Sequence, residues 1–304
     1  MNIVPTQVFS RHISILILLT LSCCFASAHI AARISFDHGT GLLTAVVFRS
    51  GISLLLLSVI AIWQKQSLSM SWKTAPWQLA LGLLIVIQSI SIYSAVSRIP
   101  VGIALLAANT FPAQLALISW ALGGQPPTRK VAILMGIILI GLLLALDIPS
   151  LLHSDMSNIM QWVIGIGFSL SAAFSLAIGL WIPEHKLLHL KGSTRSFYTL
   201  LTVICVSYFI GKSELLFGGI TWPTDLVGWG TLSLLGFLYA GAFIMLFMLA
   251  PRLDLSQNAP AMNIEPIASL TLGWIILGQA LSPMQMVGGV VVVSCIVAFA
   301  YTKK

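Results

Sequence analysis

Residues 98–125, RIPVGIALLAANTFPAQLALISWALGGQ, and residues 252–279, RLDLSQNAPAMNIEPIASLTLGWIILGQ, decide how this chain is organised. Laid over each other at a shift of 154 positions, without a gap, they pair Arg98 with Arg252, Ala107 with Ala261, Asn109 with Asn263, Pro112 with Pro266, Trp120 with Trp274, and Gly124-Gln125 with Gly278-Gln279. Two unrelated apolar segments would share Leu and Ala. Shared Asn, Pro, Trp and Gln in one register point to an internal repeat. Near the start of the chain, Leu21-Ser22 and Phe25 resemble Leu170-Ser171 and Phe174 at a slightly different offset. The chain therefore divides into two halves of one domain, about 13–148 and about 157–302, joined through Pro149 to Asn158.

Of 304 residues, 58% are hydrophobic and 8% charged, against about 25% charged in an ordinary soluble domain. Fifteen Lys and Arg with eight Asp and Glu cannot coat a core of this size, so lipid is the solvent for most of the chain. Disorder, a coiled coil and nucleic-acid binding are excluded with it, because the formal charge of +7 is distributed by membrane side and not gathered in a patch. Cys23, Cys24, Cys205 and Cys295 all lie in apolar runs with no metal-ligand spacing, so neither a disulfide framework nor a zinc site is expected.

Ten apolar runs are long enough to cross a hydrocarbon core of about 30 Å. The first five run approximately from Ile13 to Arg33, Gly41 to Trp63, Trp77 to Ser97, Pro100 to Leu122 and Lys130 to Leu146. The second five run approximately from Ile159 to Pro183, Thr194 to Ile210, Leu226 to Ala250, Ala259 to Leu277 and Pro283 to Tyr301. They are continuously apolar and do not alternate at period two, so helices are expected and a barrel is not. Arg11 before the first run and Ala26-Ser27-Ala28 within it imitate a signal peptide. A retained helix is expected, since its removal would leave nine spans and break the repeat.

With both termini cytoplasmic, the inner side holds Arg11, Lys65, Lys73, Arg129, Lys130, Lys186, Lys191, Arg195, Arg252, Lys303 and Lys304, and the outer side only Arg33, Arg98 and Lys212. Eleven against three is a positive-inside bias, and an inner (plasma) membrane location with both termini in the cytoplasm is expected. Trp63, Trp72, Trp77, Trp162 and Trp222 fall near the ends of spans, as interfacial anchors do. Five spans per half is an odd number, so the halves have opposite orientations. The fold class expected is thus an all-α membrane protein of ten transmembrane helices in two inverted five-helix repeats, an architecture of secondary transporters.

On these features, with Phe48-Arg49 in the second span, a Pro-bearing fourth span closed by Gly124-Gln125, and Glu265-Pro266 in a ninth span closed by Gly278-Gln279, the chain resembles the drug/metabolite transporter superfamily, specifically its EamA-type ten-helix exporters. The resemblance implies export of amino acids, other small metabolites or drugs, with substrate held between the third, fourth, eighth and ninth helices. That family commonly has Gly-Glu where this chain has Gly124-Gln125 and Gly278-Gln279, and no role follows for either Gln.

Candidate substrate-binding or coupling residues are the polar groups inside the spans. Glu265 is the one carboxylate placed deep in a span, where a charge costs about 2.5–3.5 kcal/mol on insertion scales, so it should face a cavity, find a partner or carry a proton. Pro266 beside it cannot donate its amide and frees a carbonyl. A packing role as a protonated hydrogen-bond donor is the bland alternative. Arg49 keeps its charge; it is either a ligand for a substrate carboxylate or a partner of Glu265, or else it snorkels to the outer interface or clamps backbone carbonyls. Asn109 and Asn263, repeat equivalents beside the two prolines, suit a polar substrate or an interhelical bridge. Gln88, Tyr93, Tyr239, Gln257 and Asn258 add polar and aromatic contacts or simply pack. His185 and His189 have metal-pair spacing but no third ligand, so no metal is expected. The basic loop from Lys186 to Arg195 is either a topogenic cluster or a lipid contact.

The function expected is secondary active export of a small amphipathic metabolite such as an amino acid, by alternating access, with proton antiport and uncoupled facilitation both compatible. A multidrug efflux carrier and a non-transporting membrane sensor or assembly factor are the alternatives. No nucleophile elbow, metalloprotease motif or nucleotide loop is found, so no enzyme and no cofactor are expected. The partners are a small-molecule substrate, protons in the coupled case and the lipid bilayer, with the oligomeric state left open.

Overall fold

A computed structural model of the chain describes residues 9–66, 68–124, 126–145, 147, 155–214, 219–249, 252–253 and 264–302. These residues form α-helices α1 (Arg11–Asp37), α2 (Leu42–Trp63), α3 (Ala75–Val96), α4 (Val101–Ala108), α5 (Phe111–Ala121), α6 (Arg129–Ala145), α7 (Met156–His185), α8 (Gly192–Lys212), α9 (Leu226–Leu249), α10 (Glu265–Leu277) and α11 (Pro283–Thr302). Among the described residues there is no strand. Among the described residues seven segments are long and apolar enough to cross a membrane: α1, α2, α3, α4 with α5, α7, α8 and α9. Shorter apolar helices lie within α6, α10 and α11. Asn258 and Asn263, with Gln125, Gln257 and residues 149–154 of the expected connection, lie outside the described residues.

The fourth expected span is not one helix. α4 ends at Ala108 and α5 begins at Phe111, with Pro112 in the first turn of the new helix. Proline has no amide to donate to Ala108, and its ring collides with the carbonyl four residues back. Side chains satisfy carbonyls at the break: Asn109 Nδ2 donates to Leu105 O (2.8 Å) and Thr110 Oγ1 to Ala107 O (2.7 Å). Glu265-Pro266 likewise open α10. At its other end Gly278 takes a left-handed conformation (φ 64°), and the Gln279 amide donates back to Gly273 O (3.1 Å).

Helices in lipid associate by close contact, since surrounding tails are as apolar as the helices themselves. α1 packs on α9 and α10, α2 on α8 and α9, α3 on α7 and α8, α4 on α7 and α10, α5 on α7, and α6 on α11. Helices before residue 150 are thus seated chiefly against helices after it. α4 is enclosed along its length, with Val101 to Ala107 all buried. At the closest glycine contacts there is no room for a side chain. A Cβ on Gly102 would stand 2.2 Å from Leu270 Cδ2, and one on Gly288 would stand 2.3 Å from Ala145 N. Ala26 and Ala28, which imitate a cleavage site in the sequence, are buried within α1.

The turn between α1 and α2 is tied to the segment before α9. His38 Nδ1 and Asp225 Oδ2 are 2.6 Å apart, Thr224 N donates to His38 O (3.1 Å), and Gly41 N donates to Thr221 O (2.9 Å). Asp225 Oδ1 also accepts from the Gly228 amide (2.8 Å). That amide first, and His38 second, hold the Asp225 carboxyl below the usual carboxylate range.

Candidate functional site

Arg49 lies in α2, two turns from its start, and is 3% exposed. It is enclosed by the bundle, and among the described residues it bonds to no backbone carbonyl. Its guanidinium lies over the faces of Tyr93 from α3 (4.6 Å to the ring centroid) and Tyr239 from α9 (4.2 Å). Desolvated contacts of this kind are worth up to about 2 kcal/mol or more each, because the ring quadrupole substitutes for water. Nη2 donates to Ser89 Oγ (2.8 Å), and Ser89 in turn lies 3.4 Å from Gln88 Oε1. The buried Nε of Arg49 has no hydrogen-bond partner among the described residues.

Glu265 is the first residue of α10, where unpaired amides and the positive end of the helix dipole favour a carboxylate. Proline directly after it costs nothing there, because first-turn amides have no partner within the helix. Its carboxylate oxygen faces His29 Nε2 of α1 at 3.8 Å. Among the described residues no ion pair joins Glu265 to Arg49. His29 is itself nearly buried, its Nδ1 lacks a partner, and its ring meets Tyr93 edge-on (5.9 Å between centroids). Tyr93 is fully buried and also meets Phe36 edge-on, while Tyr239 meets Phe25 edge-on and Phe243 face-on.

The result is a continuous line, Glu265 to His29 to Tyr93 to Arg49 to Tyr239, drawn from α10, α1, α3, α2 and α9. An acid sits at one end and a guanidinium between two tyrosines at the other. Of the sequence candidates, Glu265, Arg49, Gln88, Tyr93 and Tyr239 are brought together. Asn109 Nδ2 donates within its own helix to Leu105 O, and among the described residues no hydrogen bond joins it to the cluster. Where the resemblance implies the third, fourth, eighth and ninth helices, the described cluster draws instead on the first, second, third, eighth and ninth.

His29 and Ser89 were missed in the sequence. The signal for His29 was available, because an ionisable residue inside a span is a candidate by default. Gln279 was assigned no role, yet its Oε1 accepts from the Val101 amide at the first turn of α4 (3.2 Å). It thereby ties the end of α10 to the start of α4, where Pro100 has no donor of its own.

An all-helical bundle with, among the described residues, seven segments long and apolar enough to cross a membrane, and with a buried polar and aromatic centre, defines a multi-pass membrane protein. The model of the EamA-like transporter family matches twice, over residues 12–146 and 163–301, and the chain belongs to that family, one of membrane transporters. No curated protein matches the chain significantly. Among 21 matching chains of solved structures, one crystal structure aligns over 95% of this chain and 97% of its own, at 19% identity and a TM-score of 0.61. That likeness is one of fold.

Proposed function

We propose that the chain is a secondary carrier that exports a small amphipathic metabolite, such as an amino acid, by alternating access across an inner membrane. The observation that carries this reading is the line from Glu265 through His29, Tyr93 and Arg49 to Tyr239, which places opposite charges and aromatic faces inside the bundle. A dipolar substrate would meet Arg49 with its anionic group and Glu265 with its cationic one. In the coupled form of the reading, Glu265 carries a proton when substrate is absent.

Taking α4 and α5 as two parts of one crossing gives ten crossings, five per half, with both termini cytoplasmic. Five per half makes the repeats inverted. The packing supports this, because exchanging the halves maps contacts onto contacts. α1 on α9 corresponds to α7 on α3, α2 on α9 to α8 on α3, and α1 on α10 to α7 on α4 and α5, while α2 on α8, α6 on α11 and α4 on α10 map onto themselves.

The test is counterflow in proteoliposomes: vesicles preloaded with a mixture of L-amino acids are diluted into the same radiolabelled mixture. Transient accumulation of label, lost in Arg49→Gln, is expected. The rings of Phe25, Tyr93, Tyr239 and Phe243 favour one second reading, efflux of apolar drugs. Ethidium movement without amino-acid counterflow would establish it, and movement of neither would remove the carrier reading for both classes.

A further inference from the structure

α3 and α8 touch where Gly82 meets Thr202; a Cβ on Gly82 would stand 2.6 Å from Thr202 Cβ. Toward the starts of both helices the space between them opens into a groove of about 460 Å³, walled by Trp72, Ala75, Pro76, Leu79, Tyr198 and Thr202. Arg195, Tyr198 and Thr202 share one face of α8, being three and four residues apart. Arg195 therefore continues the wall one turn toward the helix start. Gln78 fixes this register by donating from Nε2 to Arg195 O (3.1 Å) and Thr199 Oγ1 (2.9 Å). Lys73, which is exposed, lies in the chain between Trp72 and Ala75.

The groove is lined mainly by apolar side chains, and the basic residues next to that lining are Lys73, directly after Trp72, and Arg195, one helical turn before Tyr198. Among the described residues no carboxylate lines the groove. Neither Thr74 nor Lys191, the residues preceding α3 and α8, caps its helix with a side chain, so two helix starts add their positive ends to Arg195 and Lys73. Alongside, Lys186 is held over Trp77 (5.1 Å) and Trp181 (5.9 Å), which fixes the loop between α7 and α8. Trp72 is 92% exposed, as suits an aromatic anchor in the headgroup layer. This end of the bundle also carries Lys65 and Lys191, and belongs to the side that the charge bias assigns to the cytoplasm, where anionic lipids collect.

We propose that this groove seats one anionic glycerophospholipid, its acyl chain along Leu79, Tyr198 and Thr202 and its phosphate at Arg195 and Lys73. Such seating is independent of what the carrier moves. The test uses native mass spectrometry of the full chain released from micelles, with phosphatidylglycerol or phosphatidylcholine of identical acyl chains added. The wild type should retain one phosphatidylglycerol at a concentration where phosphatidylcholine is shed. At roughly fivefold per basic residue near a charged membrane surface, Lys73→Gln should weaken retention roughly fivefold and the double variant Lys73→Gln/Arg195→Gln roughly 30-fold. Leu79→Trp, which fills the groove, should release the lipid with both cations intact, and Lys65→Gln should change nothing. Equal retention of the two lipids by the wild type overturns the proposal. So does an unchanged preference in Lys73→Gln, an exposed position where folding is not at stake.

Discussion

Replacing Gly288 by alanine probes the closest approach of a glycine to the backbone of another helix among the described residues. The added Cβ would stand 2.3 Å from Ala145 N, 2.6 Å from Gly141 O and 2.8 Å from Ala145 Cα. All three are backbone atoms, so no change of rotamer can relieve the clash, and α6 and α11 must move apart to restore ordinary contact. Overpacking costs about 1–3 kcal/mol, and a rigid obstacle puts this case at the upper end. The helix preference for Ala over Gly returns at most about 1 kcal/mol, leaving a net loss of about 2 kcal/mol. Gly289 is the control next door. Its Cβ would lie 3.6 Å from Leu270 Cδ1, an ordinary contact, so Gly289→Ala should be neutral or stabilising by up to about 1 kcal/mol. Two adjacent, chemically identical substitutions should therefore separate by about 2–3 kcal/mol when the purified protein is unfolded in mixed micelles and followed by tryptophan fluorescence. If Gly288→Ala unfolds at the same detergent fraction as Gly289→Ala, the α6–α11 crossing is not as close as described.

Arg49→Lys keeps the charge but cannot hold the guanidinium plane against both tyrosines; a loss of about 1–3 kcal/mol in unfolding free energy is expected, and wild-type stability would show the rings to be bystanders. Glu265→Gln removes titration and keeps shape: under proton coupling it should abolish accumulation driven by a pH gradient while sparing part of the counterflow, and wild-type rate, affinity and pH dependence would make the residue packing only. Because the Asp225 carboxyl is held low in the fold, its stabilising contribution is full above its unfolded-state value and lost as pH falls through the folded one. Asp225→Asn should thus melt earlier than wild type at neutral pH, the two curves converging in acid; a gap that persists there argues against the pair. A cysteine in place of Asp155, at the start of α7, should react with an impermeant thiol reagent in intact cells. Labelling only after permeabilisation would reverse the proposed orientation.

The apolar runs were legible because lipid demands them, and proline marked the break between α4 and α5 for a reader who takes Pro112 as a first-turn residue instead of a kink. What the sequence could not display was partnership. Arg49 reads equally as a snorkelling cation or a buried one, and only the placement of Tyr93 and Tyr239 on two other helices decides it. His29 stands alone in its span, directly after the Ala26-Ser27-Ala28 stretch that imitates a cleavage site, and no spacing or repeat marks it out. Gln279 carries no charge to advertise its task, and its bond to Val101 spans 178 positions. Repeat matching found Asn109 by its symmetry with Asn263, but symmetry in sequence does not say which way an amide turns.

The pairing of α6 with α11 has a consequence for synthesis. At about 5–20 residues per second, the ribosome finishes α11 roughly 10–30 s after α6 has left it. Until then the face of α6 that carries Gly141, destined for Gly288, has only lipid or the insertion machinery beside it. Each earlier helix waits in the same way for its principal partner from the later half, so assembly begins in earnest only with α7 and is completed only when α11 arrives. A stop codon before Pro283 would therefore do more than shorten the protein: it would strand α6 without its principal neighbour and present quality-control proteases with an intermediate that time alone cannot complete.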